Sequence, residues 1–175
     1  MTQLEIMGAN AKNASVFLRT AGSKKDDALL AIAKALREHS DEIIKANEID
    51  IENGKNAGLT DSLLDRLRLT PERINGMAEG VEQVAALADP IGNVLEGRTL
   101  KNGLNIEKVR VPMGVIGIIF EARPNVTSDA AALCLKAGSA VILRGGKEAN
   151  NSNLAVSEIM RNAVESVGFP KDCIA

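Results

Sequence analysis

The sequence has 175 residues, enough for one domain, and 45% of them are apolar, so a core can be built. Its 21 basic and 23 acidic side chains nearly cancel, and a net charge of -2 excludes the broad electrostatic attraction behind non-specific nucleic-acid or anionic-membrane binding. Three Phe, no Trp and no Tyr provide almost no stacking platform for single strands, so the core must be aliphatic.

Two cysteines, Cys134 and Cys173, are too few for a disulfide framework or a structural zinc site, and no metal-ligand cluster is visible. The usage suits a reducing compartment. The first residues carry Glu5 and no long apolar run, which argues against a signal peptide. No stretch reaches the roughly 18 apolar residues that span a bilayer. The expectation is a cytoplasmic protein with no membrane part.

Residues 3–88 have a helical period. Leu29, Ile32, Ala33 and Leu36 share one helix face, and Ile74, Met77, Ala78, Val81 and Ala85 repeat the pattern. Thr70-Pro71-Glu72 reads as a start signal: a hydroxyl cap, a proline at the first helical position and an acid in the first turn. Gly54 and Gly58 are expected to break the helical stretch before Thr60. Three or four helices result, the first beginning near Thr2.

The character changes after Asp89-Pro90. Two extended runs, 94–99 and 104–111, flank Lys101-Asn102-Gly103, and Asn-Gly between such runs predicts a hairpin because both residues tolerate positive φ. Both arms are polar. A two-stranded ribbon is marginal alone. It is either a surface hairpin or a partner for another sheet or subunit.

Residues 115–120 form an apolar run expected to be a central parallel strand covered on both faces. A loop over 121–125 follows. Thr127, Ser128 and Asp129 are competent caps for a helix that ends at Gly138. Residues 140–143 are a second short strand, and Arg144-Gly145-Gly146 turns into a last helix whose buried face carries Val156, Ile159, Met160, Ala163 and Val167. This is a strand–helix–strand–helix unit with an expected right-handed crossover. Two strands do not complete a sheet, and a third is expected after Ile174.

In open α/β sheets, ligands bind beyond the carboxyl ends of the strands. That rule selects Glu121, Arg123 and Asn125 in one loop and Arg144, Gly145, Gly146 and Lys147 in the other. Neither loop is a GxGxxG fingerprint. In the second, two glycines would let the backbone approach a ligand, two cations bracket them, and a helix N-terminus adds partial positive charge. An anion is the natural occupant; a flexible loop with solvated ends is the alternative. In the first, Glu121 and Arg123 either serve a substrate or pair with each other. His39 reads as a solvated or capping side chain. Cys134 reads as a buried structural thiol, and Cys173 has no nearby His partner, so neither reads as a nucleophile.

The motifs Phe120-Glu121-Ala122-Arg123-Pro124-Asn125 and Leu143-Arg144-Gly145-Gly146-Lys147-Glu148, with Leu63-Leu64-Asp65-Arg66-Leu67 and Arg73-Ile74, closely resemble the γ-glutamyl phosphate reductases, a branch of the aldehyde dehydrogenase superfamily. The resemblance covers the whole chain. It implies an α/β fold with N-terminal helices, a β-hairpin and a partial Rossmann-like parallel sheet of the aldehyde dehydrogenase type. Residues 1–92 would be the helical part of the coenzyme domain, 93–111 a protruding oligomerisation hairpin, and 112–175 the first half of the NADP-binding sheet.

The implied activity is NADPH-dependent reduction of L-glutamate 5-phosphate to L-glutamate 5-semialdehyde and phosphate in proline biosynthesis. The implied assembly is a homo-oligomer. Arg144 stands where the superfamily usually has a lysine contacting the adenosine ribose. Lys147 stands where NAD-preferring relatives have an acid, so NADPH is expected over NADH. Ala122 stands where most aldehyde dehydrogenases have an asparagine that donates to the oxyanion, and alanine cannot donate. Asn125 or Arg123 is the candidate replacement. The resemblance places the nucleophilic cysteine in a catalytic domain C-terminal of Ala175, so the 175-residue chain is expected to be inactive alone. The other readings are a non-catalytic nucleotide-binding module and a self-associating one.

Overall fold

The computed structural model describes residues 1–175. Five helices precede the first strand: α1 (Gln3–Leu18), α2 (Lys24–Glu38), α3 (Ser40–Asn56), α4 (Asp61–Leu67) and α5 (Pro71–Ala86). Thr2 and Glu5 start α1 with a reciprocal capping box, in which the Thr2 side chain accepts from the Glu5 N–H and the Glu5 carboxylate accepts from the Thr2 N–H. Thr70 caps α5 by accepting from the Arg73 N–H, with Pro71 in the first turn.

Gly54 does not break its helix. It lies inside α3, where a Cβ would meet Leu59 Cδ1 at 2.9 Å, so its role is to admit the Leu59 side chain. The stop falls at Gly58, whose φ of 76° suits glycine. The extra helix relative to expectation is the short α4, too brief to show a period.

Strands β1 (Val94–Thr99) and β2 (Asn105–Val109) form an antiparallel hairpin with every residue exposed. The hairpin forms where Asn102-Gly103 predicts it. Only Gly103 has positive φ, at 88°; Asn102 instead accepts the Leu104 N–H on its side chain, and the Gly103 N–H donates to the Leu100 carbonyl. The loop is longer than two residues, so the asparagine holds it as an Asx-type turn.

Strand β3 (Val115–Ile119), helix α6 (Asn125–Lys136), strand β4 (Ala140–Arg144) and helix α7 (Asn150–Ser166) follow. β3 and β4 are parallel, in register from Val115 opposite Ala140 to Ile119 opposite Arg144. Ile174 forms an isolated parallel bridge with Val141, so β4 is paired on both sides there. β3 is not the covered strand its sequence suggests. Its outer edge is unpaired in this chain, and Ile119 is 86% exposed.

Helix α6 also starts earlier than expected, at Asn125, because Thr127 and Ser128 are buried and bonded elsewhere: Thr127 Oγ1 to Asn153 Oδ1 and Ser128 Oγ to the Asn125 carbonyl. Val167 is exposed just past the end of α7. One aliphatic core joins α1, α2, α5, α6, α7 and β4, with the edge-to-face pair Phe17–Phe169 as its aromatic contact. No helix is long and apolar enough to cross a membrane.

Two buried lysines lock the helices to the sheet side. Lys25 Nζ lies 2.8 Å from Asp89 and donates to the Lys136 carbonyl; Lys136 Nζ lies 2.6 Å from Asp26 and donates to the Ala85 carbonyl. The pair ties α2, the end of α5, the end of α6 and the entry to the hairpin. Burial of such cations is tolerated only because each has a carboxylate and a carbonyl.

Candidate functional site

Parallel pairing brings the two strand-end loops side by side: the Phe120 N–H donates to the Arg144 carbonyl at 3.0 Å. The glycines beyond β4 are packed by the protein itself. A Cβ at Gly145 would collide with Asn153 and stand 3.1 Å from the Phe120 ring; one at Gly146 would stand 3.0 Å from the Ala122 backbone nitrogen. The absence of side chains at 145 and 146 therefore lets the two loops and α7 close on one another. The glycines thus have a packing role within the chain itself.

The N-terminus of α7 is likewise already taken. Asp50, buried on α3, accepts from the Asn151 N–H and side-chain amide at 3.2 and 2.7 Å, and from the Ser152 N–H and hydroxyl at 2.7 and 2.6 Å. It caps the helix from a distant element and satisfies the partial positive charge there. Asn47, one turn earlier on α3, donates to Ser152 Oγ and to the Leu67 carbonyl and accepts from the Leu69 N–H. This buried network fixes the α4–α5 segment against α3 and α7. The last helix starts at Asn150, behind a 3₁₀ turn over Lys147–Ala149.

What remains for an anion at the end of β4 is side-chain charge. Arg144 and Lys147 are exposed and form no ion pair; Arg144 Nη1 donates to the Gly145 carbonyl. Lys147 and Glu148 line a cleft of about 200 Å³ with Asp50, Asn53, Gly54 and Leu59.

On the substrate side, Glu121 and Arg123 do not pair through their side chains; only their backbones meet, the Arg123 N–H donating to the Glu121 carbonyl at 2.9 Å. Arg123 borders two cavities. One, of about 440 Å³, lies between α4 and the two loops and includes Glu121, Ala122, Gly146 and Arg66. The other, of about 520 Å³, opens between the α4–α5 segment and α6, and includes Arg66, Arg68, Arg73, Asn125 and Asp129.

Asn125 Nδ2 donates to Asp129 at 3.1 Å. Solvent still reaches Asp129, but partial burial pushes its carboxyl above the usual carboxylate range, an effect the Asn125 hydrogen bond only partly offsets. Sequence reasoning missed Arg66, Arg68 and Asp129 as site residues. The signal was faint: arginines beside a short helix about 60 residues from their partner loop.

Neither thiol is poised for attack. Cys134 and Cys173 are buried, and burial pushes the Cys134 thiol up and the Cys173 thiol up to about 12. His39 is exposed between α2 and α3, with Nδ1 3.4 Å from Glu42. No group of three or more His, Cys, Asp or Glu residues is placed to hold a metal ion.

The aldehyde dehydrogenase family profile matches residues 2–175. The chain belongs to the aldehyde dehydrogenase family. Among curated relatives, the γ-glutamyl phosphate reductase of Actinobacillus succinogenes is 49% identical over 99% of this chain, and that of Haemophilus influenzae 52% identical over 96%. The chain spans only 42% and 40% of those two proteins. The solved γ-glutamyl phosphate reductase of Thermotoga maritima superposes with a TM-score of 0.96 at 40% identity, covering 99% of this chain and 42% of that one. The more distant PnpE structure, in complex with nicotinamide adenine dinucleotide, shares the fold at a TM-score of 0.72 and 21% identity, covering 98% of this chain and 32% of that one.

Proposed function

We propose that this chain supplies the coenzyme side and part of the substrate side of a reductase that converts L-glutamate 5-phosphate and NADPH to L-glutamate 5-semialdehyde, phosphate and NADP⁺ in proline biosynthesis. The observation that carries the reading is the pair of adjoining strand-end loops, in a chain about half identical overall to γ-glutamyl phosphate reductases. NADPH supplies the hydride when bound. The donor set fits a coenzyme bearing an extra phosphate: two exposed cations, Arg144 and Lys147, with no carboxylate partner. Gly145 and Gly146 hold the loop against the substrate side. Arg123 borders both cavities on the substrate side; Asn125 lines the one beside α6, and Glu121 the one beside α4. A cytoplasmic setting is consistent with two unpaired, buried cysteines.

Lys147→Glu replaces attraction for the coenzyme phosphate with repulsion. Titration should show NADPH affinity falling by about tenfold or more while NADH binding changes little. Equal losses for both coenzymes would remove the phosphate role.

The chemistry also needs a thiolate to displace phosphate and form a thioester, which then accepts hydride. Neither buried thiol here can do so. The purified 175-residue chain is expected to show no NADPH-dependent turnover of the acyl phosphate; measurable turnover would overturn that.

The proposed partner is a second copy of the chain. The hairpin exposes Val94, Leu95, Leu104, Ile106 and Val109, and the open edge of β3 exposes Ile119. Light scattering should report an oligomer, and a clean monomer at micromolar concentration would count against it.

A further inference from the structure

The cavity between the α4–α5 segment and α6 holds unpaired charge of both signs. Four arginines line it. Arg73 is committed to the end of α4, donating to the Arg68 carbonyl and to Asp65 Oδ1, which occupies Asp65 as well. Arg66, Arg68 and Arg123 have no carboxylate partner, and their side chains make no hydrogen bond. Asp129, which lines the same cavity from α6, has no cation partner; its one side-chain bond is from the neutral Asn125 amide. Charges of opposite sign that share a cavity without pairing are arranged for a ligand that carries both.

We propose that this cavity recognises the α-amino-acid end of the substrate, with Arg66, Arg68 and Arg123 receiving the carboxylate and Asp129 the ammonium. The inference rests on the reductase reading and deepens it. It assigns selection for an amino acid, rather than a simple dicarboxylate, to a residue one helical turn beyond Asn125. Burial pushes the Asp129 carboxyl up with no cation beside it to offset that, so an ammonium here would meet a carboxylate that lacks a charged partner. Solvent reaches the site, so the gain is modest.

The test is calorimetric titration of the 175-residue chain with L-glutamate and with glutarate, which differ by the ammonium group alone. L-Glutamate should bind about fivefold tighter. Asp129→Asn should erase that preference while glutarate binding persists, and Asp129→Ser should do the same if the amide disturbs folding. Arg66→Ala and Arg68→Ala should weaken both ligands alike. Equal affinity in the parent chain, a preference that survives in both Asp129 variants, arginine variants that bind normally, or no binding of either ligand would each overturn the proposal. A parallel NADPH titration separates the two readings. A chain that binds NADPH but ignores the ammonium keeps the reductase reading and loses this inference; one that selects L-glutamate through Asp129 without binding NADPH does the reverse.

Discussion

Replacing Asp50 with Ala should lower the stability of the chain by about 3 kcal/mol. Loss of a helix cap alone costs about 1 kcal/mol. Here the cap comes from another helix, and its loss strands more than backbone. The Asn151 groups are partly accessible and can turn to water, but Ser152 is fully buried, so its N–H and hydroxyl would lose their acceptor with no replacement. Asp50→Asn keeps the volume and one acceptor oxygen and should cost about half as much. Urea denaturation checks both: the midpoint should fall with an unchanged slope. A midpoint within error of the parent would mean that α7 does not depend on this carboxylate.

The same residue shows where sequence reading ends. The stripes on α2 and α5 were legible because their repeating members are apolar: Leu29, Ile32, Leu36, Ile74 and Val81 are each fully buried. The buried face of α3 runs Ile43, Asn47, Asp50, Ile51, Gly54. Two polar residues interrupt it, so the period looks broken when it is not. Lys25 hides in the same way, one turn before Leu29 on the buried face of α2. Their partners are Asp89, 64 positions away, and Ser152, 102 positions from Asp50. A local pattern contains no trace of pairings at that range.

The candidate site divides along the same line. The strand-end rule found both loops, because strand polarity is a local property. It could not find that Gly146 abuts Ala122, that Asp50 occupies the helix terminus assigned to an anion, or that Arg66 and Arg68 face Arg123. The first is settled by how the two loops close on each other, the other two by how α3 and α4 pack against the βαβ unit.

The lysine pair yields the second large effect, and it is asymmetric. Lys25 is 3% exposed, whereas its partner Asp89 is 36% exposed. Asp89→Ala would leave a buried ammonium with only the Lys136 carbonyl, and uncompensated buried charge costs about 3 kcal/mol or more. Lys25→Met removes the buried charge itself and leaves a carboxylate that water can reach, so it should cost about 1–2 kcal/mol. The charge-removing change at the exposed partner is therefore the more damaging of the two.

Acid distinguishes this from simple loss of packing. Burial pushes the Asp89 carboxyl up, but hydrogen bonds from Lys25 and the Ile91 N–H, with the charges of Lys25 and Lys136, hold it below the usual carboxylate range. A depressed value in the folded state stabilises the fold above the unfolded carboxylate value, about 4, and that stabilisation is lost as pH falls through the folded-state value. The stability gap between the parent chain and Asp89→Ala should thus be full at pH 7 and shrink below about pH 4. Denaturation curves with an equal gap at both pH values would show that Asp89 acts through packing, not through its charge on Lys25.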